Sequence, residues 1–151
     1  MRHLLLLALT VMTTTLGAIS VPSQRGQLIQ RYLKARPEYA FAVKSANQPA
    51  FVASVAGLIS VGQAIVLANN NAMSAIAAMP LPRDVKSRQA IDAWAKRNQA
   101  SMASLTESNV TLAGFAPPSE ITPATIQAVE AYMNQLTKAI ETHHSICQGI
   151  H

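Results

Sequence analysis

The residues best suited to chemistry cluster at the C-terminus: His143, His144, Cys147 and His151. His143 and Cys147 stand one helical turn apart, and His151 continues the same spacing. Imidazole and thiolate placed this way can chelate a soft or borderline metal ion. Three protein ligands with a fourth position open make the catalytic type of zinc site. The candidate metal set is therefore His143, Cys147 and His151. A structural reading competes with it. Histidines near a helix C-terminus interact favourably with the helix dipole, and a cysteine on an apolar stripe packs as a small hydrophobe. Covalent haem attachment needs two cysteines ahead of a histidine, and Cys147 is the sole cysteine. Non-covalent haem, with a histidine and Met102 or Met133 as axial ligands, stays open.

Other catalytic arrangements do not assemble. The chain has no Gly-rich phosphate loop, no nucleophile elbow and no helix with the paired histidines and glutamate of a metalloprotease. Beyond Glu38, the acids Asp84, Asp92, Glu107, Glu120, Glu130 and Glu141 are spaced eight or more apart, so a carboxylate pair would need a tertiary contact. A Cys147 nucleophile activated by His143 lacks an orienting third group in the sequence. The expectation is a protein without enzymatic activity and without a required cofactor.

The element that must carry the His/Cys cluster is the last helix. Thr122 is its N-cap and Pro123 its first residue. Ile126, Val129, Met133, Leu136, Ile140, His143 and Cys147 follow in alternating steps of three and four, one apolar stripe that requires a partner. Within the chain the natural partners are the third helix and the apolar run from Ala50, giving an up-and-down bundle; between chains the Ile126–Cys147 stripe would support self-association or a protein partner.

Three further helices are expected. Gln24 to Ala35 is a basic segment with Leu28, Ile29, Tyr32 and Leu33 on one stripe, and Pro37 should force a boundary before Glu38 to Val43 resumes. Asn47 to Pro49 reads as a cap and helix start. The residues that follow belong to a run from Ser45 to Pro82 containing no Asp, Glu, Lys, Arg or His. Its Ala50 to Ala68 core has no polar face, as in the central helix of a bundle or a membrane span. Small residues recur every fourth position there, in Ala53 to Gly57 and in Ser60, Ala64 and Ala68, which lets helices approach closely in either setting. Asn69 to Asn71 should kink the run, and Pro80 and Pro82 close it. Asp84 caps a third helix, Val85 to about Leu112, carrying Ile91, Ala95, Met102, Leu105 and Leu112 with Trp94 beside them. Asn109, Val110 and Thr111 spell an N-glycosylation acceptor.

These elements imply an all-α fold, a small bundle of about four helices. A signal peptide occupies 1–20, and a single helical domain occupies 21–151. The leader reading rests on Arg2 and His3 ahead of the apolar Leu4 to Met12, with small residues at Ala18 and Ser20 for cleavage. The mature chain holds about 130 residues, enough for one core.

Net charge is +5, and the excess is local. Arg25, Arg31, Lys34, Arg36 and Lys44 face Glu38 alone, whereas six basic and six acidic residues balance from Arg83 onward. That patch is suited to an anionic surface; without interleaved aromatics or a nucleic-acid fold signature, no nucleic-acid partner is expected. The leading expectation is an exported, periplasmic or extracellular protein acting through protein contacts, as an accessory or subunit of an envelope assembly. One alternative is a small integral membrane component spanning near 50–68. The other is a metal- or haem-binding bundle using the C-terminal His/Cys cluster.

Overall fold

A computed structural model describes the backbone of residues 21–148 and the side chains of residues 26–147. The leader expected at 1–20, the Arg25 side chain and His151 lie outside the described residues. The described chain forms four helices and no strand: α1 (Val21–Lys44), α2 (Gln48–Ala77), α3 (Val85–Ala113) and α4 (Pro123–Gln148). The α1–α2 and α3–α4 pairings are the most extensive, and α2 also packs on both α3 and α4.

Each helix buries residues in steps of three and four, the spacing of inward positions in antiparallel bundles. On α1 these are Leu28, Tyr32, Ala35, Tyr39 and Ala42. On α2 they include Phe51, Val55, Leu58, Val61 and Ile65. One cluster joins α1, α2, Leu112 and most of α4. A second, of Trp94, Leu105 and Ile146 with Met73, Ile76 and Met102 against them, closes the far end.

The α4 stripe sits about one residue from its expected position. Val129, Leu136 and His143 are buried as expected, but Tyr132, Ala139 and Ile146 are the other buried positions, while Ile126, Met133, Ile140 and Cys147 are half-buried. The helix thus turns a broad face inward, because it packs on α2 and α3 and is also met by Tyr32 and Tyr39 of α1. On α3 the buried residues are Trp94, Asn98, Leu105, Ser108 and Leu112; Ala95 is exposed, since large Trp94 takes the inward position beside it.

One short turn ends α1 and starts α2. Asn47 donates its N–H to the Ala42 carbonyl at 2.9 Å and Ala46 to Val43 at 3.2 Å, a Schellman closure with Ala46 at φ 49°. Asn47 then caps α2, its side chain accepting from the Ala50 N–H at 3.1 Å, with Pro49 in the first turn. Asp84 caps α3 likewise, accepting from the Ser87 N–H at 2.8 Å, and that bond holds its carboxyl below the ordinary value. Thr122 caps α4, accepting from the Thr125 N–H at 3.2 Å.

Two expected interruptions are absent. α1 runs through Pro37 without a break. Pro37 and Leu33 are both exposed, so the Leu33 carbonyl that proline cannot serve lies on the solvent side, while Ala35, Tyr39 and Ala42 keep both halves on the core. α2 runs through Asn69 to Asn71 as well. Asn69 is fully buried and its Nδ2 donates to Asn109 Oδ1 at 3.3 Å, a tertiary partner inside the bundle, while its Oδ1 has no hydrogen-bond partner among the described residues.

Candidate functional site

At the end of α4, the helix brings His143 and Cys147 together: the Cys147 Sγ lies 3.7 Å from His143 Nε2. His143 is buried, and Cys147 and His144 are half-buried. Among the described residues no group of three or more His, Cys, Asp or Glu side chains is placed to share a metal ion. Of the candidate axial methionines, Met102 packs on the Trp94 cluster and Met133 on the main core. The neighbouring Ile146 is also buried in the Trp94 cluster, where Trp94 Nε1 has no hydrogen-bond partner among the described residues. What this end of the bundle offers is a thiol and an imidazole in contact along one helix face.

Asn109, the residue of the glycosylation pattern, is half-buried inside α3 and engaged by Asn69. That places it in a packed helix and away from the surface loops on which glycan acceptors sit.

The face that sequence reasoning missed is the outer groove between α1 and α2. Two hollows follow one another along it and share Glu38. The first, of about 260 Å³, lies among Glu38, Phe41, Ala50, Ala53 and Ser54. The second is bounded by Arg31, Lys34, Ala35, Glu38, Gly57 and Ser60. The side chains on α1 recur at steps of three and four, as do the small residues opposite them on α2, and the two rows run antiparallel. Phe41 stands at one end, 67% exposed. Arg31 lies across the other end and donates to Ser60 Oγ. Arg36 sits apart over the Tyr32 ring, 5.5 Å from its centroid. The signal was present in the small-residue spacing of α2, which sequence alone assigns to close helix approach without saying whether a helix of this chain fills it.

α2 is the one helix among the described residues long and apolar enough to cross a membrane, and 39% of its most apolar stretch is buried in the bundle. Val52 and Leu67 on its outer side remain 43% and 61% exposed.

No known protein family, curated protein or solved structure matches the chain.

Proposed function

We propose that this chain is an exported helical-bundle protein that works by binding another protein, as an accessory or subunit of an envelope assembly, without catalysis of its own. The observation that carries this reading is Phe41. In a chain with 5% aromatic residues, it stands 67% exposed beside Ala50 and Ala53 although the bundle core is already filled. An exposed aromatic over a small-residue floor is the kind of anchor that dominates protein interfaces. The inward stripe of α4 does not compete for this role, because its Val129, Tyr132 and Leu136 are taken up by the chain's own core.

The test is expression of the full chain in a bacterial host, followed by N-terminal sequencing and fractionation. A chain trimmed after Ser20, recovered soluble outside the cytoplasm and cross-linked to a defined protein through a photoreactive residue at Phe41, or at Val110, which is exposed on α3 away from the α1–α2 groove, supports the reading. An untrimmed cytoplasmic chain that cross-links to nothing at either site overturns it.

A membrane role for α2 is the second reading, supported by its length of 30 residues and the exposed Val52 and Leu67. It predicts that the chain stays with membranes through alkaline carbonate extraction. Release into the supernatant would exclude it.

A further inference from the structure

We infer that the α1–α2 groove binds an acidic amphipathic helix of a partner protein, with an apolar side chain seated against Phe41 and a carboxylate met by Arg31 and Lys34. The inference rests on the protein-binding reading above and names the face and the chemistry of the partner.

Size comes first. From Arg31 to Phe41 the groove runs about 15 Å at 1.5 Å of rise per residue, three turns of a docked helix. Its floor consists of Ala50, Ala53, Ser54, Gly57 and Ser60, which present no large side chain that would hold a backbone away. A helix lying there would place an anchor at the Phe41 end and an acid two to three turns along at the Arg31 end.

Charge chooses the occupant. The charged side chains that line the groove are Arg31 and Lys34 at one end and Glu38 between the two hollows. A second copy would bring the same cations onto the same face, and like charges placed opposite each other disfavour that pairing. An anionic bilayer matches the cations less well: Glu38 lies at the junction of the two hollows, where a flat anionic surface would repel it. A helix can avoid Glu38 by placing a neutral residue there and still put its acid beyond it. Arg31 is already held by Ser60, so ordering it for a carboxylate costs less further side-chain entropy.

The experiment is selection of a displayed library of helices about 18 residues long, with apolar residues fixed at helical spacing and the other positions drawn from Glu, Lys and Gln. The target is the purified mature chain. Enriched helices should carry Glu two to three turns from the anchor, and Lys34→Glu and Ala53→Trp should each weaken their binding about tenfold or more, with unchanged thermal melts. Lys34 and Ala53 are both exposed, so neither variant threatens the core. Enrichment of basic or neutral helices, no enrichment, or binding indifferent to both substitutions overturns the inference. So does retention of the chain on phosphatidylglycerol vesicles but not phosphatidylcholine vesicles when no helix binds, which assigns the cations to lipid. A dimer that Ala53→Trp dissolves would overturn it in favour of a second copy. If cross-links form from Val110 and not from Phe41, the groove fails while protein binding stands; if neither site cross-links, both fail.

Discussion

A Cβ atom on Gly62 would fall inside the van der Waals envelope of the Tyr132 hydroxyl and lie 3.1 Å from Tyr132 Cζ and 3.5 Å from Leu136 Cδ2. α2 and α4 therefore meet at a point where only glycine fits. The tyrosine has little freedom to yield, because its ring stacks on Phe115 with centroids 4.1 Å apart. Gly57, five residues earlier in the same helix, is different: its nearest neighbour would be Ala35 Cβ at 3.8 Å, ordinary contact.

The two glycines should thus respond oppositely to alanine. Gly57→Ala gains up to about 1 kcal/mol of helix propensity and meets no obstacle, so stability should rise slightly. Gly62→Ala gains the same propensity but overpacks the α2–α4 contact, and a net loss of about 1–2 kcal/mol is expected. Adding Tyr132→Phe, which removes the obstructing hydroxyl, should recover part of that loss. Urea denaturation of Gly57→Ala, Gly62→Ala, Tyr132→Phe and the Gly62→Ala/Tyr132→Phe double variant beside the parent chain measures the coupling; equal effects of the two alanines would show that the contact relaxes freely.

α1 is tied to α4 by a repeated pair. The Tyr32 hydroxyl donates to the Met133 carbonyl at 3.0 Å and the Tyr39 hydroxyl to the Ile126 carbonyl at 3.3 Å. The donors are two turns apart on α1 and the acceptors two turns apart on α4, in opposite order, so one antiparallel register satisfies both. Each Tyr→Phe substitution should cost about 1 kcal/mol. Tyr32 should matter more, since it also bonds Thr137 Oγ1 at 2.7 Å. Hydrogen exchange should show faster opening of α1 than of α3 in the double variant. Uniform acceleration across all helices would mean that α1 does not open separately.

The helix count and the caps Asn47, Asp84 and Thr122 were legible in the sequence, because caps are local chemistry between a side chain and an N–H three residues on. Pro37 and Asn69 were misread for the complementary reason: both carry local preferences against helix, and both are overruled by neighbours distant in sequence. The His143–Cys147 contact follows from one-turn spacing and could be read directly. The α1–α2 groove could not. Whether Ala53 and Gly57 face a helix or solvent depends on how α1 lies across α2, which no periodicity states.

Ala46 offers a way to strengthen the α1–α2 hairpin. At φ 49° its Cβ is strained, in a position that helix C-caps usually give to glycine. Its N–H is bonded to Val43 and does not involve the side chain. Ala46→Gly should relieve about 1 kcal/mol of strain, offset in part by the greater freedom of glycine in the unfolded chain. The net expectation is a stabilisation of a few tenths to about 1 kcal/mol, read as a rise in the urea midpoint at constant slope. A loss of stability would mean that this turn is not left-handed in solution.

Alkaline pH should weaken the bundle through Tyr132. Burial pushes its phenol up to about 12 from an ordinary value of 10.0, because the phenolate would lose its hydration in the core. Tyr39 is raised as well, first by burial and then by the charge of Glu130. With folded values above the unfolded one, both states hold the proton below about pH 10 and stability there does not depend on these groups. Above about pH 10 the unfolded chain ionises while the folded chain stays protonated, and stability falls by up to about 1.4 kcal/mol per pH unit for each group until the folded value is passed. Urea midpoints at about pH 9, 10 and 11 should decline, and Tyr132→Phe should flatten the decline above about pH 10 while the Tyr39 contribution remains in both proteins. A decline equally steep in the Phe variant would mean that the Tyr132 hydroxyl is hydrated in the folded bundle.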